Sequence, residues 1–154
     1  MVAPSSQVML TAVGWRRLHD ELTELRQRRS EAVASRTNGS GWPAESGSMA
    51  SPSEIEYLSH CITEVEYVLS RAVPVDSDEH EPGVVGVGSE VEVVWDDQSR
   101  ETYTIVGPPE VAPLHGRISY VSPVGLALMG RRTGHEVTVV TEDQSNRIRV
   151  AAVR

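Results

Sequence analysis

Two stretches of the chain repeat apolar residues every three or four positions, the pattern of helices that pack as a coiled coil. In the second stretch these residues are Ile55, Leu58, Ile62, Val65, Leu69 and Ala72. In the first they are Trp15, Leu18, Leu22, Leu25 and Ala32. Arg29 interrupts the first pattern. Because each apolar stripe needs a partner, the two stretches are predicted to pair as an antiparallel hairpin, with helices at about residues 11–34 and 53–72.

The segment between the two stretches, residues 35–52, is rich in Gly, Ser and Pro and favours no regular element. It is predicted to be the loop at the tip of the hairpin. Thr11 and Ser53 are the predicted N-caps of the two helices, since a hydroxyl at that position accepts a hydrogen bond from the first turn. Pro74 is predicted to prevent the second helix from continuing.

From Ser89 onward the apolar period becomes two, as at Val91 and Val93, which is typical of half-buried strands. The predicted strands cover residues 89–95, 101–106, 117–121, 136–141 and 147–153. Ser122 and Pro123 are predicted to begin a short helix over 124–129. The fold class is therefore α+β. A helical hairpin occupies 1–76, an acidic linker 77–88, and a curved antiparallel sheet with one short helix 89–154.

The charge of the chain limits what it binds. The formal net charge of −8 over 154 residues argues against broad, nonspecific binding of duplex nucleic acid. A basic strip nevertheless follows the first helix at Arg16, Arg17, Arg26, Arg28 and Arg29. Two interpretations of this strip stay open: a solvated helix face with acidic neighbours, or a contact with nucleic acid or an acidic protein surface.

Signs of catalysis, metal binding and membrane insertion are weak. The five histidines are scattered without metal-binding spacing, and the Gly-rich run 83–88 precedes a strand instead of joining a strand to a helix. Cys61 is the single cysteine, so it forms no intramolecular disulfide. With no apolar run of membrane-spanning length and no signal pattern, we expect a cytoplasmic monomer without catalytic residues, metal or cofactor.

Five motifs resemble those of one known family. Residues 118–130 read ISYVSPVGLALMG, which resembles the ISxxSPxxxALxG signature of bacterial Gre transcript-cleavage factors. Residues 102–107 are similar to that family's YxIVG strand, and 134–137 to its GDEV segment. The opening from Leu10, with Gly14, Leu18, Glu21 and Leu22, resembles MTxxGxxxLxxEL. Residues 69–76 resemble LSRAxVID, which ends the family's second helix.

The resemblance implies an FKBP-like C-terminal domain that docks beside the secondary channel of bacterial RNA polymerase, while the helical hairpin enters that channel. The residues implied in docking are Ser119, Tyr120, Ser122, Pro123, Val124 and Leu126. In the family, an acidic DLSENAEY-type tip helps to hold a catalytic magnesium, so that the polymerase cleaves its own backtracked RNA. Near the nascent RNA, the residues expected to contact nucleic acid are Arg26, Arg28, Arg29 and Arg36.

The tip departs from the family motif. Between Arg36 and Ser53 there is one carboxylate, Glu45, and the nearest echo of the motif is SEIEY at residues 53–57. One carboxylate supplies few of the oxygen ligands that magnesium needs. The residues expected to matter at the tip are Trp42, Glu45, Glu54 and Glu56. Trp42 is expected to stack on a base, to wedge against a polymerase surface, or to fold back on the helical hairpin.

The sequence therefore favours a Gre-like regulator that occupies the polymerase channel and inhibits transcription without stimulating cleavage. Three alternatives stay open. Glu45 and Glu54 or Glu56 converge and support transcript cleavage; the FKBP-like sheet is a prolyl isomerase; or the chain is an adaptor for another coiled coil. A flexible tip loop without contacts is also compatible with the sequence.

Overall fold

A computed structural model describes residues 7–37, 51–76 and 79–154. In chain order the elements are β1 (Val8–Thr11), α1 (Ala12–Thr37), α2 (Pro52–Arg71), β2 (Ala72–Val75), β3 (Glu90–Trp95), β4 (Arg100–Val106), β5 (Arg117–Ser119), α3 (Pro123–Leu128), β6 (Glu136–Val140) and β7 (Ser145–Val153). Two short 3₁₀ turns, Pro108–Glu110 and Pro113–His115, lie between β4 and β5. Within the described ranges, no helix has the length and apolarity needed to cross a membrane.

Residues 16–71 form one compact unit, here called the rod, which contains most of α1 and all of α2. Among the described residues of the rod, the buried side chains are Leu22, Ala32, Leu58 and Ile62, all from the two predicted stripes. Arg26 on α1 pairs with Glu66 on α2, with Nη2 and Oε1 2.6 Å apart. Because these two residues lie at similar sequence distances from the segment that connects the helices, the pairing is that of an antiparallel hairpin. The predicted helical hairpin is confirmed.

The two helix caps differ in how well they were predicted. Thr11 caps α1 as expected, since the Gly14 N–H donates to Thr11 Oγ1 at 3.0 Å. The prediction of Ser53 as the cap of α2 is wrong, because the Glu54 N–H donates to Ser51 Oγ at 3.1 Å. Pro52 then takes the first helical position, where its missing N–H costs no hydrogen bond.

The second compact unit, here called the C-terminal unit, joins the chain before residue 16 to the chain from Ala72 onward. This division differs from the predicted boundary at 76. The reason is a parallel pair of short strands that the sequence analysis missed: β1 lies beside β2, with Val8 opposite Ala72 and Thr11 opposite Val75. Ala72 therefore begins a strand and does not end α2.

The main sheet has the strand order β5-β4-β3-β7-β6. Neighbouring strands are antiparallel except β4 and β5, which are parallel, so the predicted fully antiparallel sheet is corrected to a mixed one. The cause is the connection 107–116. It carries the chain back, through two 3₁₀ turns, before β5 runs beside β4 in the same direction.

The core of the C-terminal unit lies on one face of this sheet and follows the predicted alternation. Val91 and Val93 are completely buried and pack with Ile105 and Leu128. The interpretation of 77–88 as a solvated linker is wrong at its end, because Val85 belongs to this core cluster. Glu79 and Glu81 in this segment are exposed, as expected.

Candidate functional site

The motif at 118–130 comprises the end of β5, a turn, and α3. The Ser119 carbonyl accepts hydrogen bonds from both the N–H (3.0 Å) and the hydroxyl (2.7 Å) of Ser122. Ser119 Oγ accepts from the Val121 N–H at 3.2 Å. Because Ser119 is buried, its hydrogen bonds stabilise the turn and its side chain is not available to a partner.

The first turn of α3 is fixed by three neighbouring residues. Ser122 Oγ accepts a hydrogen bond from the Gly125 N–H at 3.1 Å, and Pro123 occupies the first helical position. A Cβ at position 125 would overlap the Ser119 carbonyl oxygen, so only Gly fits this close approach. The turn is therefore held by its own hydrogen bonds and does not depend on a partner to form it.

This fixed turn presents apolar side chains to solvent. Leu126 is 64% exposed, Val121 is 53% exposed, and Pro123 lies on the surface between them in sequence. Here these three residues are called the exposed turn patch. Buried apolar area is the general source of binding energy between proteins, so exposed apolar side chains on a rigid turn suit a protein contact.

The other residues expected in docking have structural contacts. Val124 and Tyr120 are half-buried and pack against the core cluster. The Tyr120 hydroxyl also accepts a hydrogen bond from the Met9 N–H at 3.2 Å. Of the six predicted residues, Pro123 and Leu126 have exposed side chains. Val121 was missed because the motif leaves its position unspecified. Its place before a capped turn was the available signal.

The basic strip of the rod is on the surface. Arg26, Arg28, Arg29 and Arg36 are all exposed, and Arg26 is paired with Glu66. An open depression of about 640 Å³ is lined by Arg26, Arg29, Ser30, Val33 and Ala34. None of the described residues that line it is acidic, and the Arg29 side chain is exposed there.

The described part of the tip contains two acidic residues, whereas Trp42 and Glu45 lie outside the described residues. Glu54 and Glu56 are exposed in the first turns of α2. Two positions apart on a helix, they project about 200° apart around its axis. Such a pair does not hold one magnesium ion, and the described ranges contain no group of three His, Cys, Asp or Glu residues suited to a metal.

Tyr57 follows these two carboxylates and is exposed. The Cys61 side chain, one helical turn later, raises the pKa of Tyr57 above its usual value. The nearby charge of Arg28 acts in the opposite direction. The Tyr57 phenol therefore stays neutral and adds no negative charge to the tip.

Comparison with known proteins agrees with these motifs. Residues 79–154 match the family model described as "Transcription elongation factor, GreA/GreB, C-term". The chain is 38% identical to the transcription elongation factor GreA of Chloroflexus aggregans over 150 residues, which cover 94% of this chain and 96% of that protein. It is 33% identical to GreA of Geobacillus kaustophilus over 158 residues, covering 99% of this chain and all of its relative.

Among solved structures, the GreA factor homolog 1 (Gfh1) of Thermus thermophilus is 30% identical to this chain, with a TM-score of 0.42. That alignment covers 96% of this chain and 99% of the other. The family is established by the full-length sequence relatives, which match both the helical and the sheet portions. The chain belongs to the GreA/GreB family of transcription elongation factors.

Proposed function

We propose that this GreA/GreB-family protein binds bacterial RNA polymerase at the rim of the secondary channel through its C-terminal unit. Within this proposal it inhibits transcription and does not stimulate cleavage of the transcript. The chain acts as a cytoplasmic monomer and is not itself an enzyme. The observation that carries the proposal is the exposed turn patch, because it combines the family's ISxxSP motif with apolar side chains on a preformed surface.

A preformed turn favours binding because little conformational entropy is lost when the partner arrives. The hydroxyl of Ser122 and the absence of a side chain at Gly125 fix the patch before any contact is made. Side chains that become fully desolvated near the centre of an interface are the ones whose truncation costs most. The patch is therefore the expected centre of the polymerase contact.

The tip supports inhibition because it carries few carboxylates. Between Arg36 and Ser53 the one acidic residue in the sequence is Glu45. The side chains of Glu54 and Glu56 point in different directions from α2. A hairpin that reaches the active site with too few oxygen ligands obstructs the channel and adds no ligand set for a second magnesium ion. Within the same proposal, the exposed Arg28, Arg29 and Arg36 lie near the nascent RNA, where their charge suits phosphate.

Binding is tested with purified polymerase and single variants of the patch. We expect Leu126→Ala and Pro123→Ala each to raise the dissociation constant by about tenfold, because each removes apolar contact area. Val140→Ala is the matched control, since Val140 is 69% exposed but lies on β6, outside the patch. Equal affinity of all three variants and the wild type would remove the patch from the interface.

Inhibition is tested by multi-round transcription with increasing amounts of the protein. We expect the RNA yield to fall in a saturable way, while stalled polymerase complexes keep the length of their transcripts. The names of the GreA relatives favour a second candidate, an elongation factor that stimulates cleavage and rescues backtracked polymerase. Shortened transcripts that disappear with Glu45→Ala would establish that second function and reject inhibition.

A further inference from the structure

A buried carboxylate contacts the first turn of α1 inside the C-terminal unit. Glu110 is 5% exposed, and among the described residues (7–37, 51–76 and 79–154) it is the one charged side chain that is buried. It belongs to the 3₁₀ turn Pro108–Glu110, apart from the exposed turn patch and from the tip. Burying a carboxylate is costly unless donors surround it, so its partners show what it is for.

The Glu110 carboxylate has donors from two distant parts of the chain. Its Oε2 accepts from the Thr11 N–H at 2.9 Å and from the Gly107 N–H at 3.2 Å. Its Oε1 accepts from the Thr11 hydroxyl and lies 3.6 Å from Nη2 of Arg117. The carboxylate is thus fully engaged, and Thr11 supplies two of its donors.

The same Thr11 hydroxyl continues the connection into the helix. Thr11 Oγ1 donates to Glu110 and accepts from the Gly14 N–H at 3.0 Å. A single line of hydrogen bonds therefore runs from the first turn of α1, through its cap, to the 107–110 turn. The turn held by these bonds is the start of α1, which is continuous from Ala12 to Thr37.

Two glycines make room for this contact. A Cβ at position 14 would overlap the Glu110 carboxylate, and a Cβ at position 107 would overlap the Met9 carbonyl oxygen. Neither glycine has a positive φ, so the backbone conformation does not require Gly at these sites. Space alone requires it. The close approach of the two segments is therefore encoded at three residues, Gly14, Gly107 and Glu110.

We propose that Glu110 is a positioning residue, and that the Glu110–Thr11–Gly14 contact, here called the clamp, is needed for the effect on transcription and not for binding to polymerase. This inference rests on the proposed function. The exposed turn patch holds the protein on polymerase, whereas the hairpin that acts there begins at a clamped turn. A loosened clamp leaves a bound protein whose hairpin is poorly restrained.

The decisive variant is Gly14→Ala, because Ala favours the helix more than Gly does. A loss of effect in this variant cannot come from a weaker helix.

Glu110→Gln keeps the size of the side chain but places an amide N–H₂ among donors. Thr11→Val removes the shared hydroxyl, and Thr11→Ser restores it. Val13→Ala is the matched control in the same turn, since Val13 is exposed and is not part of the clamp.

The experiment measures three quantities for each full-length variant with purified polymerase: the dissociation constant, the effect on transcription at saturating protein, and hydrogen exchange at the Thr11 and Gly14 amides. For Gly14→Ala, Glu110→Gln and Thr11→Val we expect the dissociation constant to change by less than about threefold and the saturating effect to fall by about fivefold or more. Amide exchange should accelerate at Thr11 and Gly14. Thr11→Ser and Val13→Ala should behave as wild type.

Several outcomes overturn the clamp. If the variants keep the full effect at saturation, or lose binding and effect in parallel, Glu110 is a structural residue only. If Gly14→Ala does not fold, the milder Thr11→Val decides by the same two readouts. A wild-type protein that neither binds polymerase nor changes transcription rejects the proposed function itself, which is a distinct result.

Discussion

The rod and the C-terminal unit bury their apolar side chains in different ways. In the C-terminal unit, Ile105, Leu128 and Ile148 are at most 1% exposed and belong to one cluster beneath the sheet. In the rod, the described stripes bury only Leu22, Ala32, Leu58 and Ile62, and the remaining positions of the two stripes are half-buried. Two helices cover each other along one seam, whereas a sheet and a helix enclose a core. We therefore expect the rod to open locally before the C-terminal unit does.

The largest expected effect breaks the core of the C-terminal unit. Ile105→Ala deletes a completely buried side chain and should lower the free energy of unfolding of this unit by about 4 kcal/mol, since the enclosed core relaxes only partly around the cavity. Hydrogen exchange of the β3 and β4 amides measures the change. The exposed Val140→Ala on β6 is the control, expected within about 0.5 kcal/mol of wild type.

A smaller effect is expected from the equivalent change in the rod. Leu58→Ala removes the most buried side chain of α2 and should cost about 2–3 kcal/mol, because a two-helix seam is open to water and closes more easily around a deletion. Hydrogen exchange of the α1 and α2 amides reports this loss, and Val33→Ala on the exposed face is the control. A cost equal to that of Ile105→Ala would contradict the contrast between the two units.

Local pattern was enough to predict most elements of both units. The stripes of the rod gave the hairpin because Leu22, Leu58 and Ile62 are spaced as one helical face, and the alternation of Val91 and Val93 gave β3. In each case the signal is the side-chain period of the element itself.

The features that could not be predicted from the sequence depend on contacts between distant segments. β1 and β2 are four residues each, and the whole rod lies between them in the sequence. Neither strand is therefore long enough to show a local pattern that predicts it. Pro74 was interpreted only as a helix terminator, although an edge strand tolerates it. In the sequence Glu110 resembles any loop carboxylate, because its hydrogen-bond partner Thr11 is 99 residues away along the chain.

The candidate site shows the same division. Ser122 was predicted as the cap of α3 from its position before Pro123, and the structure confirms it. The burial of Ser119 and the exposure of Val121 could not be predicted, because they depend on how the turn packs on the sheet. Motif positions therefore identified the segment, while the fold decided which of its side chains reach solvent.

A third prediction removes the cap of α3. Ser122→Ala deletes the acceptor of the Gly125 N–H and should destabilise the turn by about 1 kcal/mol. Hydrogen exchange at Gly125 and Leu126 should accelerate while the β3 amides keep their protection, so this effect is local even inside the better-packed unit. Ser122→Thr keeps a capping hydroxyl and should restore protection. Faster exchange throughout the sheet would mean that the patch is part of the core and not a surface feature.

The smallest expected effect tests whether surface charge, instead of the seam, holds the rod together. The side chains of Arg26 and Glu66 are 58% and 45% exposed, so their ion pair should contribute only about 0.5 kcal/mol despite its short distance. A double-mutant cycle with Arg26→Ala, Glu66→Ala and the double variant isolates this coupling, and added salt should reduce it further. A coupling above about 1.5 kcal/mol that resists salt would exceed the range of exposed pairs. The stability of the rod would then depend on its polar surface, and the contrast with the C-terminal unit would be one of chemistry as well as packing.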